Sequence, residues 1–143
     1  MPLSLVGSEM CIRDRLNSLF SVDKPFSSNR KEEKKHGDSG SLIGSPLSGK
    51  GLIVDDVISS GSSIEESINI IKKNNAKPIS VLVALDRMEL GKKRRAAFEL
   101  ESDNNISVHS IINIEDVVVY LKKNESGNNN IQRMEEYLDQ FKR

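Results

Sequence analysis

Residues Gly51–Glu66, GLIVDDVISSGSSIEE, carry the strongest chemical signal in the chain. Leu52, Ile53 and Val54 form an apolar run suited to a buried parallel strand. Asp55 and Asp56 follow at its C-terminal end, the place where open α/β sheets bind ligands. After Val57 and Ile58 comes Ser59-Ser60-Gly61-Ser62-Ser63, a loop of small residues and hydroxyls leading into an amphipathic helix. Backbone N–H groups at a helix N-terminus, joined by hydroxyls, suit a phosphate. Carboxylates accept hydrogen bonds from adjacent hydroxyls. An acidic pair beside a phosphate cradle therefore points to a ligand with sugar hydroxyls and a phosphate. A capped helix alone would explain Ser62-Ser63-Ile64-Glu65 as a capping box, but it does not call for the acids.

The segment 52–63 resembles the 5-phosphoribosyl 1-pyrophosphate (PRPP) motif of the type I phosphoribosyltransferases: apolar strand, two acids, two apolar residues, then a hydroxyl- and glycine-bearing loop. The resemblance implies that Asp55 and Asp56 contact the ribose hydroxyls. It also implies that the 57–63 segment (Val57, Ile58, Ser59, Ser60, Gly61, Ser62, Ser63) surrounds the 5′-phosphate, with Ser59 also touching the base. A second run, Pro25–Gly44 (PFSSNRKEEKKHGDSGSLIG), is similar to the catalytic loop of the bacterial orotate phosphoribosyltransferase family. That loop spans about residues 27–41, with Asn29, Arg30, Lys31, Glu32, Lys34, His36 and Gly37 at the matching positions. By itself such a charged run would read as a solvated face.

The family resemblance implies transfer of a 5-phosphoribosyl group from PRPP to N1 of orotate, with release of pyrophosphate. Arg30, Lys31, Lys34 and His36 then clamp the leaving group, Lys34 closest to it, on a lid that excludes water. Arg87, in Leu85-Asp86-Arg87, matches the orotate-contacting arginine, and a guanidinium suits a carboxylate. Its bland alternative is a surface arginine paired with a nearby acid. The flank Met88-Glu89-Leu90-Gly91 departs from the family's usual Gln-Glu-Arg-Gly, and Glu65 stands where relatives often have Arg. The implied cofactor is Mg²⁺ held mainly by PRPP, with no protein metal site. The implied assembly is a homodimer with shared active sites.

The sheet and helices that must position these groups follow from patterning. Gly51–Val54, Ile79–Leu85 and Ile106–Ile112 read as parallel strands covered on both faces. Ile64, Ile68 and Ile71 lie on one face of a helix over Ser62–Asn74. Further helices are expected over Lys93–Ser102, over Ile114–Lys123 with Asn113 as N-cap, and over Ile131–Phe141. Ser39–Lys50 reads as a hairpin-like arm with the charged loop at its base. The alternation implies an α/β fold of the type I phosphoribosyltransferase kind, a parallel sheet with flanking helices, lacking its N-terminal part. His109 reads as a structural residue.

With 143 residues, 21 basic and 21 acidic, the chain fits one domain and gives no electrostatic case for nucleic acid. No run approaches the roughly 18–20 apolar residues of a membrane span, and the expected compartment is the cytoplasm. Leu5–Asp14, LVGSEMCIRD, resembles a translated sequencing adapter. Residues 1–15 are accordingly expected to be an artefact and 16–143 the C-terminal part of the enzyme, inactive alone. The single cysteine, Cys11, falls within that stretch. The alternatives are another type I phosphoribosyltransferase, a PRPP-binding regulator, or a response-regulator receiver domain, whose acidic pocket LIVDD also resembles.

Overall fold

The computed structural model describes residues 3–6, 10–29, 42–124 and 129–140. The elements are β1 (Leu3–Val6), α1 (Met10–Phe20), β2 (Phe26–Asn29), β3 (Leu42–Gly44), β4 (Lys50–Ile58), α2 (Ser62–Lys73), β5 (Lys77–Asp86), α3 (Ala96–Asn104), β6 (Ser107–Asn113), α4 (Ile114–Asn124) and α5 (Asn129–Asp139). The strands hydrogen-bond in the order β3-β2-β1-β4-β5-β6. The chain forms two compact units. One holds residues 1–55 and 63–82, the other 56–62 and 83–143.

In the first unit β1 runs parallel to β2 and to β4, with Leu5 opposite both Phe26 and Leu52. β3 pairs antiparallel with β2, Ser28 opposite Ile43 and Asn29 opposite Leu42. The arm expected over Ser39–Lys50 therefore takes its partner strand from before the charged run. Residues 30–41 lie outside the described residues, so Arg30, Lys31, Lys34 and His36 do too. Ser27 is buried, and its hydroxyl donates to the Ser45 carbonyl. The stretch expected to be adapter-derived carries β1 and the start of α1. Arg13 there donates from Nε to the Lys24 carbonyl at 2.9 Å and pairs with Asp23 at 2.6 Å.

α2 forms as its period requires. Ile64, Ile68 and Ile71 are buried on one face, with Lys72 and Lys73 at the C-terminal end, where cations oppose the helix dipole favourably. Gly51 allows close packing, since a Cβ there would meet the Ile71 side chain at 3.2 Å. Asn75 ends the helix in the left-handed region, a conformation asparagine tolerates.

In the second unit α3 begins at Ala96, not at Lys93. The Glu99 carboxylate accepts from the backbone N–H groups of Lys92, Lys93 and Arg94 at 2.7, 2.5 and 3.0 Å, which folds those residues into a turn ahead of the helix. The same bonds, led by that from Lys92, hold the Glu99 carboxyl below the ordinary value of 4.5. α4 has its expected cap: Asn113 Oδ1 accepts from the Asp116 N–H, and Asp116 accepts in return from the Asn113 N–H. α5 packs Ile131, Met134 and Leu138 against Val118, Ile114 and Leu121 of α4. Phe141, expected in this last helix, lies outside the described residues.

One expectation fails. The strands are not covered on both faces throughout. In β5, Val81 and Val83 are buried, but Leu82 is 36% exposed. β6 stands at the end of the strand order, and Ile111 is 74% exposed. An apolar run marks a strand, but coverage depends on neighbours that the run does not encode. His109, expected to be structural, is exposed on β6.

Two outcomes follow. Ile68→Ala, at a fully buried position, should cost about 2–5 kcal/mol in chemical denaturation, while Asn69→Ala on the exposed face should be near neutral. Because folding lowers the Glu99 pKa, the clasp is fully present above the ordinary glutamate value and is lost as pH falls through the lowered one. In an NMR titration the Lys92, Lys93 and Arg94 amides should shift together with a midpoint below 4.5, and Glu99→Gln should abolish that common transition.

Candidate functional site

Parallel pairing sets the site. Lys77 N–H bonds to the Gly49 carbonyl at 2.7 Å at the strand starts, and Arg87 N–H bonds to the Ile58 carbonyl at 3.0 Å at their ends. Start matched to start and end to end requires β4 and β5 to run in the same direction. Within the second unit, this ties the backbone of Arg87 to the residue immediately before the Ser59–Ser62 loop.

The loop is open and tightly turned. Ser60 and Ser62 are exposed, and their hydroxyls lie 3.2 Å apart. Gly61 is buried with φ +82°, and a Cβ there would meet Leu100 Cδ1 at 3.2 Å and Ala96 Cβ at 3.4 Å. Both the left-handed backbone and the closeness of α3 demand glycine. The turn places α2's N-terminus, with its intrahelically unsatisfied N–H groups, directly after the serines. Val57 and Ile58 complete β4, Ile58 fully buried and Val57 partly so.

Asp55 and Asp56 fall inside β4, not after it, because the strand continues to Ile58. Asp56 is exposed and opens the second unit's segment. Asp55 is half-buried and belongs to the first unit, as does Ser63, which is exposed.

Asp86, which ends β5, holds the turn that presents Arg87. Its Oδ1 accepts from the Met88 N–H at 2.7 Å and its Oδ2 pairs with Arg95 at 3.0 Å. Met88 has φ +58°, a conformation costly for a residue of that type, and the Asp86 bond stabilises it. Beyond the turn, Ala96 N–H returns to the Glu89 carbonyl at 3.0 Å. Sequence reasoning missed Asp86 and Arg95 in this role. The available signal was an acid ending a strand two residues before the N–H it binds, the spacing of an Asx turn.

Arg87 is 44% exposed and is paired with a nearby acid, Glu89, at 2.6 Å. It also donates to the Tyr137 hydroxyl at 2.9 Å. Among the described residues no group of three or more His, Cys, Asp or Glu could hold a metal ion, and no helix is long and apolar enough to cross a membrane.

The sequence model of the phosphoribosyl transferase domain family matches residues 14–118. The chain is 47% identical over 119 residues to an orotate phosphoribosyltransferase of Marinobacter nauticus, and 46% identical over 123 residues to one of Actinobacillus pleuropneumoniae. These matches cover 82% and 85% of this chain but 56% and 58% of the relatives, so the chain spans about half their length. The crystal structure of the Francisella tularensis orotate phosphoribosyltransferase superposes with a TM-score of 0.75 at 27% identity, over 96% of this chain and 69% of that one. The receiver-domain alternative is thereby set aside. With the expected alternation of strands and helices formed and a family match over most of its length, the chain belongs to the phosphoribosyl transferase domain family and has its α/β fold.

Proposed function

We propose that this chain is part of an orotate phosphoribosyltransferase, which transfers 5-phosphoribosyl from PRPP to orotate in pyrimidine biosynthesis. The observation that carries the reading is the bond between Arg87 N–H and the Ile58 carbonyl. It sets a cationic fork beside a loop suited to a phosphate, and orotate is a carboxylate that must meet a phosphorylated sugar.

In this reading Ser59–Ser63 hold the 5′-phosphate through N–H and hydroxyl groups, and Asp55 and Asp56 accept from the ribose hydroxyls. Arg87 orients orotate by its carboxylate, and Ser59 contacts the ring. The C1–O bond to pyrophosphate breaks with its electron pair leaving on oxygen, N1 of orotate forms the new C1–N bond, and the N1 proton departs to the leaving pyrophosphate or to solvent. Oxocarbenium character builds on the ribose, as in glycoside cleavage. Arg30, Lys31, Lys34 and His36 neutralise the leaving group, a role that rests on the sequence resemblance alone.

Mg²⁺ held mainly by PRPP belongs to the same reading, because a small hard cation keeps few protein ligands and takes phosphate oxygens. Such an ion supplies charge neutralisation to the diphosphate. A cytoplasmic homodimer with shared sites belongs to the same reading.

The test is orotate consumption that requires both PRPP and Mg²⁺, measured on the longest reading frame recovered around this sequence. Lys34→Ala should lower kcat by about 10²–10³-fold. Consumption of another base in place of orotate would overturn the assignment. Gly61→Ala should raise the KM for PRPP about tenfold with little change in that for orotate, since the strain falls on the phosphate loop.

A further inference from the structure

Arg87 is a half-exposed side chain, yet it is not left to search for a ligand. Its Nη2 meets both Glu89, at 2.6 Å, and the Tyr137 hydroxyl, at 2.9 Å. Tyr137 in turn donates to the same Glu89 oxygen, which closes a triangle of three hydrogen-bonded groups. The guanidinium carbon also stands 5.9 Å from the Tyr137 ring centroid. Tyr137 belongs to α5, which Leu138, Met134 and Ile131 pack onto α4, so the hydroxyl reaches Arg87 on an anchored helix. Desolvation first, and then the bond to Glu89, raise the phenol pKa, so Tyr137 keeps the proton it donates.

All three contacts fall on one nitrogen or on the ring. No described residue accepts from Nε or Nη1, and their three N–H groups remain for a ligand. A long cationic side chain ordinarily loses rotamer freedom when it binds, which weakens affinity. Here that freedom is already restricted before a ligand arrives.

We propose that Tyr137 and Glu89 are positioning residues, which hold the Arg87 guanidinium by Nη2 so that Nε and Nη1 meet a carboxylate ligand in a preset orientation. The inference rests on the reading of Arg87 as the orotate-carboxylate contact. It gives a helix near the C-terminus a part in selecting acidic bases, which the PRPP motif itself does not touch.

The experiment is Arg Nε–Hε NMR relaxation on the 143-residue chain, with orotate titrated into the same samples. Arg87 Nε should be as ordered as the backbone in wild type and mobile in Tyr137→Phe, which keeps the ring. Orotate Kd should rise about three- to thirtyfold in that variant. Glu89→Gln leaves α5 unaltered and should move both readouts in the same direction. Equal Arg87 order in wild type and Tyr137→Phe would overturn the inference. An unchanged Kd in Tyr137→Phe, with binding abolished by Arg87→Ala, would overturn it while leaving Arg87 as the contact. Equal orotate affinity in wild type and Arg87→Ala would remove the carboxylate reading, and the inference with it.

Discussion

The architecture of the site depends on the parallel pairing of β4 and β5. Parallel strands bring their C-terminal ends to one edge of a sheet, where side chains from segments distant in sequence can serve one ligand. The Arg87–Ile58 backbone bond is the local expression of that rule. Without it the Ser59–Ser62 loop and Arg87 would have no fixed separation. Around this bond the remaining devices are stiffeners: Gly61 against α3, Asp86 around Met88, and Glu99 across Lys92–Arg94.

The acidic stiffeners share a chemistry. Carboxylates accept backbone N–H groups that no helix or strand satisfies, and each such acid replaces a stretch of regular structure with a defined turn. Asp86 does this at the end of β5, Glu99 ahead of α3 and Asp116 ahead of α4. A bond from a backbone N–H to a carboxylate is charge-assisted, so a chain with few aromatics and short helices gains order from side-chain acceptors. The balanced charge count of the chain thus conceals acids committed to its own backbone.

The sequence disclosed what depends on local pattern. Ile64, Ile68 and Ile71 fixed α2 because a period of 3.6 admits only one face, and the serine–glycine loop stood out because few folds need that composition after a strand. Asn113 was legible as a cap for the same local reason. The tether on Arg87 was not, since Tyr137 lies fifty residues away and no spacing rule links them. The start of α3 was misplaced because helix propensity in Lys93–Arg95 is outweighed by one carboxylate. The exposed β6 was misjudged because strand patterning reports the residue, not its neighbours. The two acids were legible in the sequence as neighbours after an apolar run, but their place inside β4 required knowing that the strand runs on to Ile58.

The Glu99 clasp has a consequence for the chain's survival in a cell extract. Lys92-Lys93-Arg94-Arg95 is a run of four basic residues, with Lys92, Lys93 and Arg94 exposed, the composition a trypsin-like protease cuts most readily. Cleavage, however, requires the backbone to be drawn out into an extended form, and here three consecutive N–H groups are bound to a single carboxylate. The most basic segment of the second unit is therefore digestible only when that carboxylate lets go, so resistance to proteolysis in this region is governed by one glutamate and not by the stability of the whole chain.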